Sequence, residues 1–259
     1  YNRYKLGNSV ISNFGKIPLP IRKGMSIGLT SISPVTYTKI LSLLSILMPR
    51  LRKHKRIGDN VHKFGRILGF SSEADLYQKL ILVWPQLALT CEVVDIATDI
   101  QEAFNKEDIS FEERMMWQDS IGYMHNDILT KASMASSLEA RVPFLDNEVF
   151  DLAWSLPIGY KLRNGETKAP LRKIVSNYVP NELMNRPKAG FGVPIDSWLR
   201  NELNDWAENL LSIESLGKSQ FLDVSLIRRT WKNHLIGNSN EQYGLWNVLM
   251  YQQWMLERR

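Results

Sequence analysis

"MMWQDSIGYMHNDILTK", residues 115–131, repeats its large apolar side chains at helical rather than strand spacing. Trp117, Ile121, Met124 and Ile128 stand at i, i+4, i+7 and i+11, so a 3.6-residue turn brings them to one face. Working outward, "QYGLWNVLMYQQW" (242–254) follows the same rule, with Trp246, Leu249, Met250 and Trp254 inward. Further helices are predicted over about 35–47, 59–68, 72–83, 93–104, 147–155, 168–178, 196–211 and 224–236. No run alternates long enough to predict a strand, so the chain reads as mainly α.

Two helix starts carry a mechanism. Asp146 precedes "NEVFDLAWSLP" and can accept from the orphan amides of that helix, which Pro157 then closes. Thr167 is expected to cap "KAPLRKIVSNYV" in the same way, with Pro180 beyond its end. Repeats and low-complexity tracts are absent, which excludes a solenoid and leaves one compact helical unit as the expectation.

At 259 residues, with 44% hydrophobic and 10% aromatic content, the chain can bury a substantial core. The single cysteine, Cys91, cannot form an internal disulfide, and His54, His62, His125 and His234 lack metal-ligand spacing. A reducing compartment and no metal site in this chain are therefore expected. The longest apolar run, "ILSLLSILM" at 40–48, is too short for a membrane span, and no signal-peptide pattern opens the sequence. A cytoplasmic protein is the expectation.

The net charge of +5 is uneven. Arg50, Arg52, Lys53, Lys55 and Arg56 crowd into "RLRKHKR" behind the amphipathic "TKILSLLSILMP". This run either binds an anionic partner or forms a solvated face, and without aromatic interleaving it does not read as a nucleic-acid module.

Two stretches can carry chemistry. In "SMASSLEARVPFLD" (133–146), Glu139 and Arg141 stand two apart and share a face if the segment is extended. Leu138, Val142, Phe144 and Leu145 are expected to draw it into the core, where a carboxylate beside an arginine is either a structural ion pair or a preorganised site. In "NRPKAGFGVPIDSWLR" (185–200), Gly190 and Gly192 read as loop hinges between Pro187 and Pro194. Lys188, near the crown of that loop, is either an ordinary surface lysine or a mobile point charge that meets phosphate or developing negative charge. The phosphate loop, the dinucleotide fingerprint and the nucleophile elbow are all missing from this sequence.

Taken in order, "DILTK", "SMASSLEARVPFLD", "NRPKAGFGVPIDSWLR" and "QYGLWNVLMYQQW" resemble the C-terminal part of the synthetase domain of glutamine-hydrolysing asparagine synthetases. The resemblance runs over effectively the whole chain, from "YNRY" to the last helix. It implies the helical C-terminal half of an adenine-nucleotide α-hydrolase-like (ATP-pyrophosphatase) α/β domain. Its activity would be AMP transfer from ATP to the aspartate side-chain carboxylate, followed by attack of ammonia. By the same resemblance, Lys188 matches the catalytic loop lysine, and Glu139 matches the glutamate that orients ammonia or accepts its proton. Arg141 would set that glutamate or bind substrate carboxylate.

The resemblance also implies a chain cut after a Gly-Gly-Asp-Glu-Leu-Phe segment, with the SGGxDS pyrophosphate loop and an N-terminal glutaminase domain upstream. ATP and Mg2+ would serve the full-length enzyme, with aspartate and glutamine-derived ammonia as substrates and a homodimer compatible with it. The 259 residues alone are expected to be inactive and to carry no cofactor. Two other readings stay open: a sibling amidotransferase acting on another carboxylate, and a non-enzymatic helical module using Arg50–Arg56.

One departure stands beside Glu139. Family members read Lys-Val-Asp-Arg-Ala-Ser-Met-Ala where this sequence runs from Lys131 straight to Ala132, Ser133 and Met134. Either a Val-Asp-Arg triplet is deleted here or the natural protein has it, and the intact flanking motifs favour the second. Intact-mass measurement separates the two.

Overall fold

The computed structural model describes residues 2–44, 57–82, 84, 89–90, 100, 104–105, 108–122, 134–139, 141–163, 166–184 and 192–258. These residues are dominated by helices. The first five are α1 (Asn2–Phe14), α2 (Leu19–Ser31), α3 (Pro34–Leu44), α4 (Ile57–Leu68) and α5 (Glu73–Ile81). Then come α6 (Phe111–Gln118), α7 (Asn147–Ser155), α8 (Ile158–Lys161), α9 (Ala169–Val175) and α10 (Asn181–Met184). The last group is α11 (Ile195–Arg200), α12 (Asn204–Leu210), α13 (Ile213–Leu216), α14 (Val224–Leu235) and α15 (Gln242–Glu257). Between α8 and α9 lies a two-stranded antiparallel hairpin, β1 (Leu162–Arg163) and β2 (Glu166–Thr167), which pairs Leu162 with Thr167.

The expectation of one compact unit does not hold, because the chain divides in two. Unit 1 joins Tyr1–Ser9 to Ala97–Phe191, and unit 2 joins Val10–Ile96 to Gly192–Arg259. The physical reason is visible in unit 2, whose C-terminal helices close an apolar cluster of their own. Leu199, Leu211, Leu216, Ile227, Trp231, Leu245 and Leu249 are buried there, with Trp84 packed against them. Trp84 lies flat on α15 at Gly244, where a Cβ would sit 2.5 Å from the indole ring. Elsewhere in unit 2, α3 and α4 approach so closely that a Cβ on Gly58 would overlap the Pro34 carbonyl oxygen. Arg22 of α2 is buried and donates to the carbonyls of Phe70 at 2.8 Å and Ile17 at 2.9 Å, its guanidinium 3.8 Å from the Phe70 ring centroid. That arginine is satisfied in place, as a buried charge must be.

In unit 1, α6 opens with a capping box. Ser110 accepts from the Glu113 amide, and the Glu113 carboxylate accepts from the Ser110 amide at 2.9 Å. Burial works against ionisation of Glu113, yet these Ser110 bonds hold its carboxyl below the ordinary value. Trp117 meets Trp154 of α7 edge-on at 5.6 Å, with Phe150 beside it. The α1 side chains Tyr4 and Arg3 reach Asp119, the tyrosine by a hydrogen bond and the arginine by an ion pair at 2.9 Å.

Several expectations need correction. Asp146 caps α7 as read, accepting from the Glu148 amide at 3.0 Å. Thr167 caps nothing, because it is engaged in β2; Lys168 takes the cap position with a left-handed φ of 60°. The single helix over 196–211 is two helices. Asn201 leaves helical geometry at φ −126°, ψ −94°, and its amide side chain donates to the Ser197 carbonyl, a local bond that competes with the helix ladder. Before residue 34 the chain forms α1 and α2, which the periodic search does not assign.

Burial also departs from the pattern. In α15, Leu245, Val248, Leu249 and Gln252 are buried, while Met250 and Trp254 are exposed, because a helix apolar on most faces gives periodicity no unique inner side. Ile121 is exposed because the backbone over 119–122 widens to a π turn, which rotates the face away from the straight-helix register. Met124 and Ile128, most of the helix over 93–104, and the basic run Arg50–Arg56 lie outside the described residues.

Candidate functional site

Glu139 and Arg141 sit in unit 1, between a 3-10 turn at Met134–Ser136 and another at Pro143–Leu145. Ser137 adopts a left-handed φ of 58°, so the chain turns sharply just before the glutamate. Beyond it, Val142 is extended and Pro143 starts the next turn, as its fixed φ allows. Glu139 and Arg141 therefore fall on one side, and the Arg141 guanidinium lies 3.0 Å from the Glu139 carboxylate.

The sequence reading correctly paired these two residues and misplaced their surroundings. The Glu139 side chain is 63% exposed and Arg141 84% exposed, so this is a surface ion pair and not a carboxylate set in a core. Leu138 and Phe144, expected to draw the segment inward, are themselves exposed. The physical reason is the shortness of the flanking elements: turns of three residues present no apolar face wide enough to bury one. Chemically, the pair is an accessible carboxylate held in orientation by a cation. In water such a pair contributes little to stability.

Lys188 and Gly190 lie outside the described residues. Gly192 is exposed, outside the left-handed region, and a Cβ there would meet open space. Downstream of it the chain enters α11 through Val193 and Pro194. Proline at the cap position has no side-chain acceptor, and the helix has no local side-chain cap. The missing acceptor comes instead from α15, where Gln242 Oε1 accepts from the Asp196 amide at 2.9 Å. Asp196 in turn pairs with Arg200 at 2.8 Å and lies 3.7 Å from the fully buried His234 of α14. Leu199, on the same short helix, has no exposed surface. Sequence reasoning missed this junction because its members are 46 residues apart, although a proline at a helix start with no capping side chain is a usable signal.

A second charged group fixes α12 to α14. Arg228 donates to Glu208 at 2.7 Å, and the Trp231 indole donates to the other oxygen of that carboxylate. Hydrogen bonding to Arg228 keeps the Glu208 carboxyl below its usual range. Among the described residues no group of three or more His, Cys, Asp or Glu side chains could hold a metal ion, and no helix is long and apolar enough to cross a membrane.

Comparison with known proteins gives this geometry its context. The chain belongs to the asparagine synthase family, which it matches over residues 1–256. It is 36% identical over 161 residues to asparagine synthetase [glutamine-hydrolyzing] 1 of Bacillus subtilis (strain 168), covering 60% of this chain and 25% of that protein. A relative from Mycobacterium tuberculosis (strain ATCC 25618 / H37Rv) is 40% identical over 145 residues, covering 54% of this chain and 22% of its own length. Asparagine synthetase [glutamine-hydrolyzing] 3 of B. subtilis is 27% identical over 100 residues, covering 38% of this chain and 16% of its own. The first two matches thus span about a quarter of each relative. No solved structure matches.

Proposed function

We propose that this chain is the C-terminal part of the synthetase domain of a cytoplasmic asparagine synthetase. That enzyme adenylates the aspartate side-chain carboxylate and transfers glutamine-derived ammonia to it, giving asparagine, AMP and pyrophosphate. The observation that carries this reading is the family match over residues 1–256, supported by relatives named glutamine-hydrolysing asparagine synthetases. In it, Lys188 neutralises charge that builds as pyrophosphate leaves and as ammonia adds, a task for a compact cation with three donors. Glu139 orients the incoming ammonia or takes its proton, which its accessible carboxylate can do. Arg141 holds that carboxylate by the 3.0 Å pair, and this geometry favours the orienting role over binding of substrate carboxylate.

Among the described residues no group of three or more His, Cys, Asp or Glu side chains could hold a metal ion, and this sequence lacks the SGGxDS pyrophosphate loop, so no step is assigned to metal or triphosphate. In the proposal both are held by the part of the domain that precedes these residues, and the glutaminase domain that supplies ammonia lies further upstream.

The test uses a full-length protein carrying this sequence. Lys188→Ala should lower asparagine formation by about two to three orders of magnitude, as removal of a transition-state charge partner does, with glutaminase activity retained. Near-normal synthesis by that variant would remove Lys188 from the mechanism. A screen of carboxylic acids for ATP-dependent pyrophosphate release should give aspartate as the acceptor; release with another acid and not with aspartate would move the enzyme to a sibling amidotransferase. The 259-residue chain alone should form no asparagine, and measurable synthesis by it would overturn the need for an upstream pyrophosphate loop.

A further inference from the structure

Helix α2, within unit 2, turns aliphatic side chains away from its own support. Its inner face meets α4, where Ser26, Leu29 and Thr30 lie against Gly65, and that side also carries the buried Arg22. At about 100° per residue, the opposite side holds Ile21, Gly24, Met25, Ile27 and Gly28. Ile27 is 66% exposed and Ile21 56%, and Ile32, just past the helix end, is exposed as well. A Cβ on Gly24 or Gly28 would meet nothing within 4 Å, so among the described residues this side is open and the aliphatic groups stand proud of it. Lys16 and Lys23, both exposed, accompany them. The sequence here has one sign of charge: residues 10–44 hold Lys16, Arg22, Lys23 and Lys39 and no Asp or Glu, and the first carboxylate side chain of the chain is Asp59. A contiguous exposed aliphatic face marks a binding surface, and its composition says what it binds.

We infer that the outer face of α2 docks on an anionic phospholipid surface, its aliphatic side chains entering the headgroup boundary and Lys16 and Lys23 meeting lipid phosphates. A helix lying in that boundary needs apolar groups on one side and cations beside them, which α2 supplies. Other occupants fit less well. A second copy on the same face would set Lys23 against Lys23, with no carboxylate on α2 to answer either. A nucleic acid calls for aromatic rings on which bases stack, and α2 has none. Protein hot spots are built largely on Trp, Tyr and Arg, and the one arginine of α2 is spent inward on the Phe70 and Ile17 carbonyls. The inference is independent of the catalytic assignment.

The test is co-sedimentation of the full-length protein with vesicles of equal parts phosphatidylglycerol and phosphatidylcholine, set against vesicles of phosphatidylcholine alone. Wild type should bind the first and not the second, and binding should weaken as salt rises. Ile21→Ser with Ile27→Ser should lower the partition constant about tenfold, the scale of withdrawing aliphatic side chains from an apolar phase. Lys23→Ala should lower it about fivefold. Because these side chains are exposed, both variants should keep the wild-type melting temperature and rate of asparagine synthesis. If the double variant loses stability, Lys23→Ala and the salt dependence decide the matter. Absent binding, equal binding to phosphatidylcholine alone, or unchanged binding by both variants would overturn the inference. A dimer in sedimentation equilibrium that Ile21→Ser with Ile27→Ser dissociates would give the face to a second copy instead. Retention on DNA that Lys23→Ala abolishes, without vesicle binding, would likewise overturn it in favour of a nucleic acid.

Discussion

In the stretch 192–258, Leu199, Leu211, Leu216, Leu245 and Leu249 have no exposed surface, whereas between 134 and 184 Leu138, Leu152 and Leu183 stand more than half exposed. The second stretch is no less apolar in character. It also carries Phe144, Tyr160, Ile174 and Tyr178, all exposed. The difference lies in the elements. In 192–258, α14 has 12 residues and α15 has 16, enough turns to lay a continuous stripe against neighbours. In 134–184 the elements are 3-10 turns, a two-residue hairpin and helices of four to nine residues, each too short to bury a face by itself. Apolar content shows that a core can exist; element length and neighbourhood decide which leucines enter it.

The sharpest way to break this contrast is a pair of identical truncations. Leu249→Ala should cost about 2–5 kcal/mol in urea unfolding, because it opens a cavity among fixed neighbours, while Leu152→Ala should stay within about 0.5 kcal/mol. Equal losses would mean that the 134–184 face is covered in solution. A smaller effect is expected where the limit is steric. Gly58→Ala should destabilise by about 1–3 kcal/mol, because the new methyl meets a backbone oxygen that cannot rotate away. A melting temperature at or above wild type would show that α3 and α4 separate freely.

The smallest effect tests electrostatics inside the well-packed unit. Glu241, at the start of α15, has its carboxyl pushed above the ordinary 4.5 by burial, with nearby Asp59 adding to the rise and Arg66, Lys63 and His62 opposing it. A carboxyl raised in the folded state favours folding while protonated. Its contribution is complete below about pH 4.5 and is lost as pH climbs through the higher folded value. Glu241→Gln should therefore leave stability little changed at pH 4 and raise the melting temperature at pH 7. A variant that is destabilised at pH 7, with the loss shrinking on acidification, would reverse the assigned direction.

Much of the helical order was legible in sequence, and each failure has a particular cause. Periodicity located α4, α5, α7 and α14 within a few residues because each has one apolar face or a clear cap, as Asp146 provides for α7. It missed the break at Asn201, where no proline or glycine marks the site and a side-chain amide competes for a backbone carbonyl. It paired Glu139 with Arg141 correctly, since two-residue spacing in extended chain is a local property. It placed that pair in a core that is not there, since burial depends on elements distant in sequence. The tie between Gln242 and Asp196 lay beyond any local pattern. Only the fold brings α15 to the start of α11.

Unit 2 has one more consequence, which concerns synthesis rather than packing. Its two stretches, 10–96 and 192–258, are stitched by the Leu89 to Leu222 bridge, by Thr90 donating to the Gln220 carbonyl at 2.8 Å, and by Trp84 lying on Gly244. A ribosome delivers the first stretch long before the second, and everything between them must emerge in the interval. The apolar surface awaiting that partner is then uncovered in the nascent chain, with Trp84 among the groups left waiting. At about 5–20 residues per second the wait lasts several seconds or more, long enough for aggregation to compete and for a chaperone to find the segment. Contacts this distant in sequence also make refolding in vitro slow for a helical protein.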